Sequence, residues 1–277
     1  MPRFDLEQFL QLVERHKITM GYIVPPIVLA LAKHPMVDQY NLSTLKDLLS
    51  GAAPLPESVA HACAERNNVS IRQGYGLTET SPVTHFNPKD HEIKITSVGP
   101  AAPSTSYRIV DVSSHKDVET GELGEIWIKG PQVMKGYLNN PKATASMIDK
   151  NEWLHTGDIG RADEDGYLYI IDRVKELIKY KGQQVAPAEL EAVLQSHPNI
   201  ADAAVIPIPD EEAGEIPKAF IVAKSESILT ADEVIDYVAQ RVAPHKKVRR
   251  VEFIDQIPKV PSGKILRRQL VERENQR

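Results

Sequence analysis

Four short stretches combine residue types that could handle a phosphorylated ligand. The run Asp172-Arg173-Val174-Lys175-Glu176-Leu177-Ile178-Lys179-Tyr180-Lys181-Gly182 places four basic side chains within nine residues. Read as extended chain with a period of two, Arg173, Lys175, Lys179 and Lys181 share one face, and Val174, Ile178 and Tyr180 share the other. A helix would set Lys175 and Lys179 one turn apart as like charges, which is unfavourable. A one-sided basic strand ending in Gly182 suits an anion, with phosphate the obvious candidate; a solvated charge run is the alternative. In Gly74-Tyr75-Gly76-Leu77-Thr78-Glu79 the glycines let backbone approach a ligand, Thr78 offers a hydroxyl to a phosphate, and Glu79 offers a hard oxygen to magnesium. It is no dinucleotide fingerprint, because Glu79 stands where the third glycine belongs, and a plain tight turn is the alternative. Thr156-Gly157-Asp158 puts a carboxylate after a glycine turn, where it could accept two ribose hydroxyls or form an Asx-turn. Pro261-Ser262-Gly263-Lys264 is like the end of a phosphate loop. Pro258 occupies the place of a Walker loop's first glycine, so Lys264 is not a lysine of that kind. The other reading there is a basic helix start with Arg267 and Arg268. His155 has no second histidine at ligand spacing, so no metal is placed on it.

The chain that must position these residues has 277 of them, 42% hydrophobic and 26% charged, which is a soluble globular composition with material for one large or two ordinary domains. A net charge of −5 argues against nucleic acid as the main partner. The lone Cys63 can form neither an internal disulfide nor a cysteine metal cluster, and is expected buried in a helix. No apolar run reaches the ~20 residues of a bilayer span. The first residues lack the apolar core of a signal peptide and the last three are not Ser-Lys-Leu, so a cytoplasmic location is expected.

Local patterns divide the chain. A helix over 5–16 capped by Asp5, a strand over 20–24 stopped by Pro25-Pro26, a helix over 27–33, a strand over 45–49, a helix from Pro56 and a strand over 69–73 give a parallel α/β sheet. Gly51-Ala52-Ala53-Pro54 and Gly74–Glu79 then follow carboxyl ends of strands, where open α/β sheets place ligands. Beyond Pro88 the β alternation of 104–111, 123–129 and 166–171 predicts a small β subdomain. Helices from Pro187 to Gln195 and from Thr230, the latter with a capping box completed by Glu233, return with β runs over 203–208, 219–223 and 248–254.

Gly51-Ala52-Ala53-Pro54-Leu55, Gln73 to Glu79, Thr156-Gly157-Asp158, Arg173-Val174-Lys175 with its Lys-Tyr-Lys-Gly sequel, and Pro261 to Lys264, in this order, closely resemble the acyl-adenylate-forming superfamily. The closest likeness is to the branch of 4-coumarate–CoA ligases and firefly-luciferase-like acyl-CoA synthetases. The resemblance covers essentially the whole chain. It implies an ATP-dependent acid–CoA ligase of aromatic or medium-chain fatty acids, using ATP/AMP, Mg2+ and coenzyme A, with a small carboxylic acid as the other substrate. By resemblance, Gly51, Ala52, Ala53, Pro54 and Tyr75 frame the adenine, and Gly74 and Gly76 belong to the same nucleotide-binding set. Thr78 holds the α-phosphate, Glu79 the magnesium, and Asp158 and Arg173 the ribose. Lys264 reaches the α-phosphate and substrate carboxylate during adenylation. Asp172 and Lys175 form the hinge, Lys179 and Gln184 lie near the phosphate during thioester formation, and Lys181 and Gly182 serve the coenzyme A loop. Tyr22, Ile23, Pro82 and Val83 are candidates for the acid pocket, with Tyr22 and Ile23 equally readable as core.

The resemblance divides the chain into 1–98, the C-terminal part of a large α/β AMP-binding domain with its N-terminal half absent; 99–171, a β subdomain; 172–175, the hinge; and 176–277, an α+β lid. The family's Ser/Thr/Gly-rich phosphate loop ending in Pro-Lys-Gly occurs nowhere in the sequence. The expectation is therefore a C-terminal portion with a truncated acyl-adenylate-forming fold that alone does not catalyse the full reaction. A non-catalytic remnant that binds AMP or a protein, and a luciferase-like monooxygenase, are the alternatives.

Overall fold

The computed structural model describes residues 1, 3–89, 91–224 and 227–276. The chain divides into two compact units, Met1–Thr156 with Gly160–Ile170, and Gly157–Ile159 with Ile171–Arg277.

The first unit begins with α1 (Leu6–His16), whose first turn is closed by Asp5 accepting from the Gln8 N–H at 2.8 Å and whose end is turned by left-handed Lys17. It is followed by β1 (Met20–Ile23), α2 (Pro25–Lys33), β2 (Asp47–Ser50), α3 (Glu57–Asn67), β3 (Ser70–Gly76) and β4 (Val83–Phe86). Pro25 and Pro26 do more than stop β1. They are the first two residues of α2, where a missing N–H removes nothing the helix would use. The sheet runs β1-β2-β3-β4, with β1, β2 and β3 parallel and β4 antiparallel to β3. Leu10, Val13, Val28, Leu31, Ala60 and Cys63 from the three helices close over Leu48 and Ile71 as one buried cluster.

Here β3 corrects the expected turn at Gly74. The strand continues to Gly76 because Gly74, Tyr75 and Gly76 pair with Phe86, His85 and Val83. A Cβ on Gly76 would lie 1.8 Å from the Pro82 carbonyl oxygen, so the hairpin cannot close around any other residue.

The second sheet runs β5 (Ser106–Val110), β6 (Gly124–Lys129), β7 (Leu154–Ala162) and β8 (Leu168–Arg173). Val98, Ile126, Ile128 and Leu168 form its core. A short α4 (Pro141–Met147) precedes β7. Thr156-Gly157-Asp158 lies inside β7 and not after a turn, although Gly157 keeps a φ of +69°. Its alternation is masked because the inward positions include buried Thr156 and Asp158 rather than aliphatics. The Thr156 hydroxyl is satisfied by the Ile126 carbonyl at 2.7 Å.

In the second unit, β9 (Ile178–Tyr180) and β10 (Gln183–Val185) form a hairpin, followed by α5 (Pro187–Gln195), β11 (Ile200–Asp210), β12 (Gly214–Ala223), α6 (Ala231–Ala239), β13 (Arg250–Phe253) and α7 (Arg267–Asn275). The order is β10-β9-β12-β11, and β13 pairs in parallel with β12. The sheet is apolar on both sides. Leu190, Leu194, Val205, Ile221, Val234 and Val238 fill one core, and Ile206, Ile208, Phe220, Ile257 and Leu270 fill the other. Thr230 and Glu233 make the reciprocal capping box that the sequence predicts.

The basic run is not one strand. Arg173 ends β8, a turn occupies 174–176, and Lys179 and Tyr180 belong to β9. Within these pieces Arg173, Lys175, Lys179 and Lys181 are exposed while Ile178 is fully buried, so the two-sided pattern survives the break. At the break Glu176 pairs with Arg267, a partner 91 residues away. Among the described residues no helix is long and apolar enough to cross a membrane.

Candidate active site

In the first unit the parallel register aligns Ile23 with Ser50 and Ser50 with Gln73, so the segments that follow β1 and β2 and the end of β3 share one sheet edge. The Gly51 N–H donates to the Ile23 carbonyl at 3.2 Å, and a Cβ on Gly51 would sit 3.6 Å from the Gly74 carbonyl oxygen. Gly51, which leads into Ala52, Ala53 and Pro54, is thus brought beside Gly74, which leads into Tyr75 and Gly76. Ala52 is held at a φ of +72°, a conformation that costs a residue with a Cβ on the order of 1 kcal/mol. Ser50, two residues earlier, keeps a buried hydroxyl without a hydrogen-bond partner among the described residues.

After β3, residues Thr78–Thr80 make a 3-10 turn. Thr78 is exposed, and the Glu79 carboxylate accepts from the Tyr137 hydroxyl at 2.7 Å while the Glu79 carbonyl accepts from the Met134 N–H at 2.8 Å. Glu79 is thereby oriented by a neighbour, which fits a carboxylate that shares a magnesium ion with nucleotide phosphates. Among the described residues no group of three or more metal-ligating side chains gathers. Tyr22 is 76% exposed on β1 and Val83 is exposed on β4, whereas Ile23 belongs to the core, so the acid-pocket candidates separate. Pro82 is exposed in the hairpin turn.

Sequence reasoning missed three residues here. Thr80 is fully buried and knits the turn by accepting from the Leu77 N–H at 2.9 Å and bonding the Pro82 carbonyl. Tyr137 has no local signal. His85, opposite Tyr75 in the hairpin, is fully buried, sits edge-on to Tyr107 at 4.9 Å and lies 6.2 Å from the Tyr75 ring.

Burial drives the His85 pKa down to about 3. The folded value is below the unfolded one, near 6.5, so the unfolded chain binds a proton there that the folded chain refuses. This contribution is complete above about pH 6.5 and is lost as pH falls toward 3. We expect stability to decline by about 1.4 kcal/mol per pH unit through this window on account of His85. Urea unfolding from pH 7 to pH 4 checks this, and His85→Asn should flatten the slope by about that amount.

In the second unit, Asp158 is buried and its Oδ1 pairs with the Arg173 Nε at 3.0 Å, while the Val174 N–H donates to the Gly157 carbonyl at 2.8 Å. The two candidate ribose residues are therefore adjacent, with Arg173 about half exposed. Asp172 is buried and accepts from its own neighbour, the Arg173 N–H, at 2.7 Å and from the Ala188 N–H, in the first turn of α5, at 2.8 Å. Burial pushes its carboxyl up, and those N–H groups oppose the push. Lys175 is exposed in the turn between them. Lys181 and Gly182 form the hairpin tip at φ values of +47° and +79°. Nothing lies within 4 Å of a Cβ on Gly182, so conformation rather than space demands glycine there. Lys179 and Gln184 are exposed on the paired strands.

Lys264 is exposed near the tip of a small loop. The loop is closed by the Val260 N–H donating to the Lys264 carbonyl at 3.0 Å and the Leu266 N–H donating to the Pro258 carbonyl at 2.8 Å. Lys259 anchors the loop to β11 through both oxygens of Asp202, at 2.7 and 2.6 Å. Arg267, just past the loop, reaches Glu176 and both oxygens of Glu191, and its Nε donates to the Val205 carbonyl at 3.3 Å. Burial pushes the Glu191 carboxyl up, and Arg267 opposes this.

The fold and the order of these motifs are those of one family. The model for AMP-binding enzymes matches residues 1–138, and that for the AMP-binding enzyme C-terminal domain matches residues 189–264. The chain belongs to the AMP-binding enzymes. It is 51% identical to 4-coumarate–CoA ligase 2 of Nicotiana tabacum over 275 residues, 98% of this chain and 51% of the relative. It is 50% identical to 4-coumarate–CoA ligase 1 of Solanum tuberosum over 98% of this chain and 50% of that protein. ATP-bound MatB from Rhodopseudomonas palustris superposes with a TM-score of 0.93 at 30% identity, covering 99% of this chain and 54% of that one. The anthranilate CoA ligase AuaEII, in complex with anthranoyl-AMP, gives 0.86 at 30% identity over 97% of this chain and 52% of that one.

These matches correct two expectations, that the chain is a C-terminal portion only and that its fold is a truncated one. Both the AMP-binding model and the C-terminal-domain model are satisfied, each on a unit with a closed core of its own. The chain spans about half the length of the curated relatives it matches.

Proposed function

We propose that these residues serve an ATP-dependent acid–CoA ligase, which joins a carboxylic acid to AMP with release of pyrophosphate and then passes the acyl group to the thiol of coenzyme A. The observation that carries this is the pairing of Asp158 with Arg173 directly beside the buried hinge residue Asp172, in a chain half identical to 4-coumarate–CoA ligases along its whole length. A hydroxycinnamic acid of the 4-coumarate kind is the substrate class this likeness favours.

In this reading the sheet-edge segments at 51–54 and 74–76 seat the adenine, and Thr78 donates to the α-phosphate. Magnesium, when bound, offsets the charge that gathers on the phosphates, and Glu79 is the residue that would hold it. Asp158 accepts the ribose hydroxyls while Arg173 keeps its carboxylate aimed. Lys264 supplies a fixed cation where two anions, carboxylate and α-phosphate, must meet. The β9–β10 tip, with Gly182 free of side-chain bulk, lets a thiol-bearing arm pass close to backbone. Titrating the 277-residue chain with AMP should give saturable binding that Asp158→Ala weakens. AMP binding without turnover of a supplied acyl-adenylate would favour the non-catalytic reading, and no AMP binding would refute the ligase reading.

A further inference from the structure

Arg267 lies three residues beyond Lys264, and its guanidinium uses all three nitrogens. Nη1 pairs with Glu176 in the turn after β8, Nη2 pairs with both oxygens of Glu191 on α5 at 2.8 and 2.7 Å, and Nε meets the Val205 carbonyl of β11. The Val205 N–H returns to Glu191 Oε1 at 2.9 Å, so the cluster is closed. The Arg267 side chain is only 16% exposed, and Asp172 adds a third carboxylate to the field around it. A planar fork bonded on three sides fixes distances and angles between the elements it joins, which a lysine could not do. The other end of the Lys264 loop is pinned by Lys259 on Asp202.

We propose that Arg267 is a positioning residue that makes the hinge turn 174–176 and the Lys264 loop one rigid piece. The hinge turn then cannot change its backbone angles without carrying the Lys264 loop along. Lys264 therefore reaches its target only in the hinge setting that suits adenylation, and the β9–β10 tip, outside the clamp, keeps its own geometry. The inference rests on the proposed ligase reading for its catalytic consequence but not for its mechanical one.

The test is Glu176→Gln, which removes one arm of the clamp at a partly exposed side chain, with Arg267→Met as the stronger variant. Amide hydrogen exchange is read by mass spectrometry over 173–177 and 259–266. Loss of the clamp should raise exchange in both segments together, about tenfold for Glu176→Gln, with β11, β12 and the melting temperature of Glu176→Gln unchanged. Exchange that rises in the hinge turn alone, or in neither segment, overturns the proposal whether or not the chain makes acyl-AMP. In turnover, acyl-AMP formation should fall about 10²-fold for Arg267→Met through kcat, with KM for ATP held and thioester formation from supplied acyl-AMP retained. An equal fall in both half-reactions also overturns it. Absence of both half-reactions in the unaltered chain is a failure of the ligase reading, and the exchange result still decides the clamp.

Discussion

Lys264→Ala is expected to slow formation of the acyl-adenylate by about 10²–10³-fold, the loss seen when a fixed electrostatic contact is removed from a transition state. Carboxylate and α-phosphate repel each other on approach, and a positioned ammonium offsets that repulsion without having to reorganise. Lys264 is exposed, and the loop that carries it is closed by its own backbone hydrogen bonds and anchored by Lys259 and Arg267. The variant should therefore fold and melt like the parent. Conversion of supplied acyl-AMP to thioester should stay within a fewfold, because the charge that gathers on the departing AMP phosphate in that step falls, by resemblance, to Lys179 and Gln184 rather than to Lys264. Rapid-quench measurement of each half-reaction separates the two. Equal loss in both would place Lys264 elsewhere in the mechanism.

Arg72→Ala is expected to destabilise the first unit by about 3–5 kcal/mol, the range for breaking a buried ion pair on one side. Arg72 on β3 holds Asp47 on β2 through Nε at 2.9 Å and through Nη2, and its Nη1 donates to the Asn87 carbonyl at 2.8 Å. Both side chains are less than a tenth exposed. Truncation would leave the Asp47 charge and the Asn87 carbonyl without that donor. Replacing both partners at once, with Asp47→Leu and Arg72→Met, should recover most of the loss, because no charge is then left in the interior. Urea midpoints of the three variants decide this. A double variant as unstable as Arg72→Ala would show that packing rather than charge carries the cost.

What the sequence made legible was what neighbours along the chain decide. The Asp5 cap of α1, the Pro187 start of α5 and the Thr230–Glu233 box of α6 are each set within four residues, and each stands where the pattern places it. The two-sidedness of the basic run was legible for the same reason. The extension of β3 through Gly76 was not, because it depends on a partner strand whose pairing no local pattern announces. Nor was β7, whose inward Thr156 and Asp158 hide the alternation.

For the site, the motif residues were legible as a set while their supports were not. Tyr137 lies 58 residues from the carboxylate it orients, and Arg267 lies 76 from Glu191 and 91 from Glu176. Arg267 looked like a helix start, and it is also that, since α7 begins there. A basic residue beginning a helix, where the dipole favours an acidic one, was the available hint that a buried carboxylate held it.

The ligase reading stands most directly on one measurement. The 277-residue chain is given 4-coumaroyl-AMP and coenzyme A without ATP, and the products are resolved by chromatography. Equal amounts of 4-coumaroyl-CoA and AMP are expected, formed at a rate that depends on the chain and is kept by Lys264→Ala. Thioester at no more than the uncatalysed rate, with AMP binding intact, would contradict it.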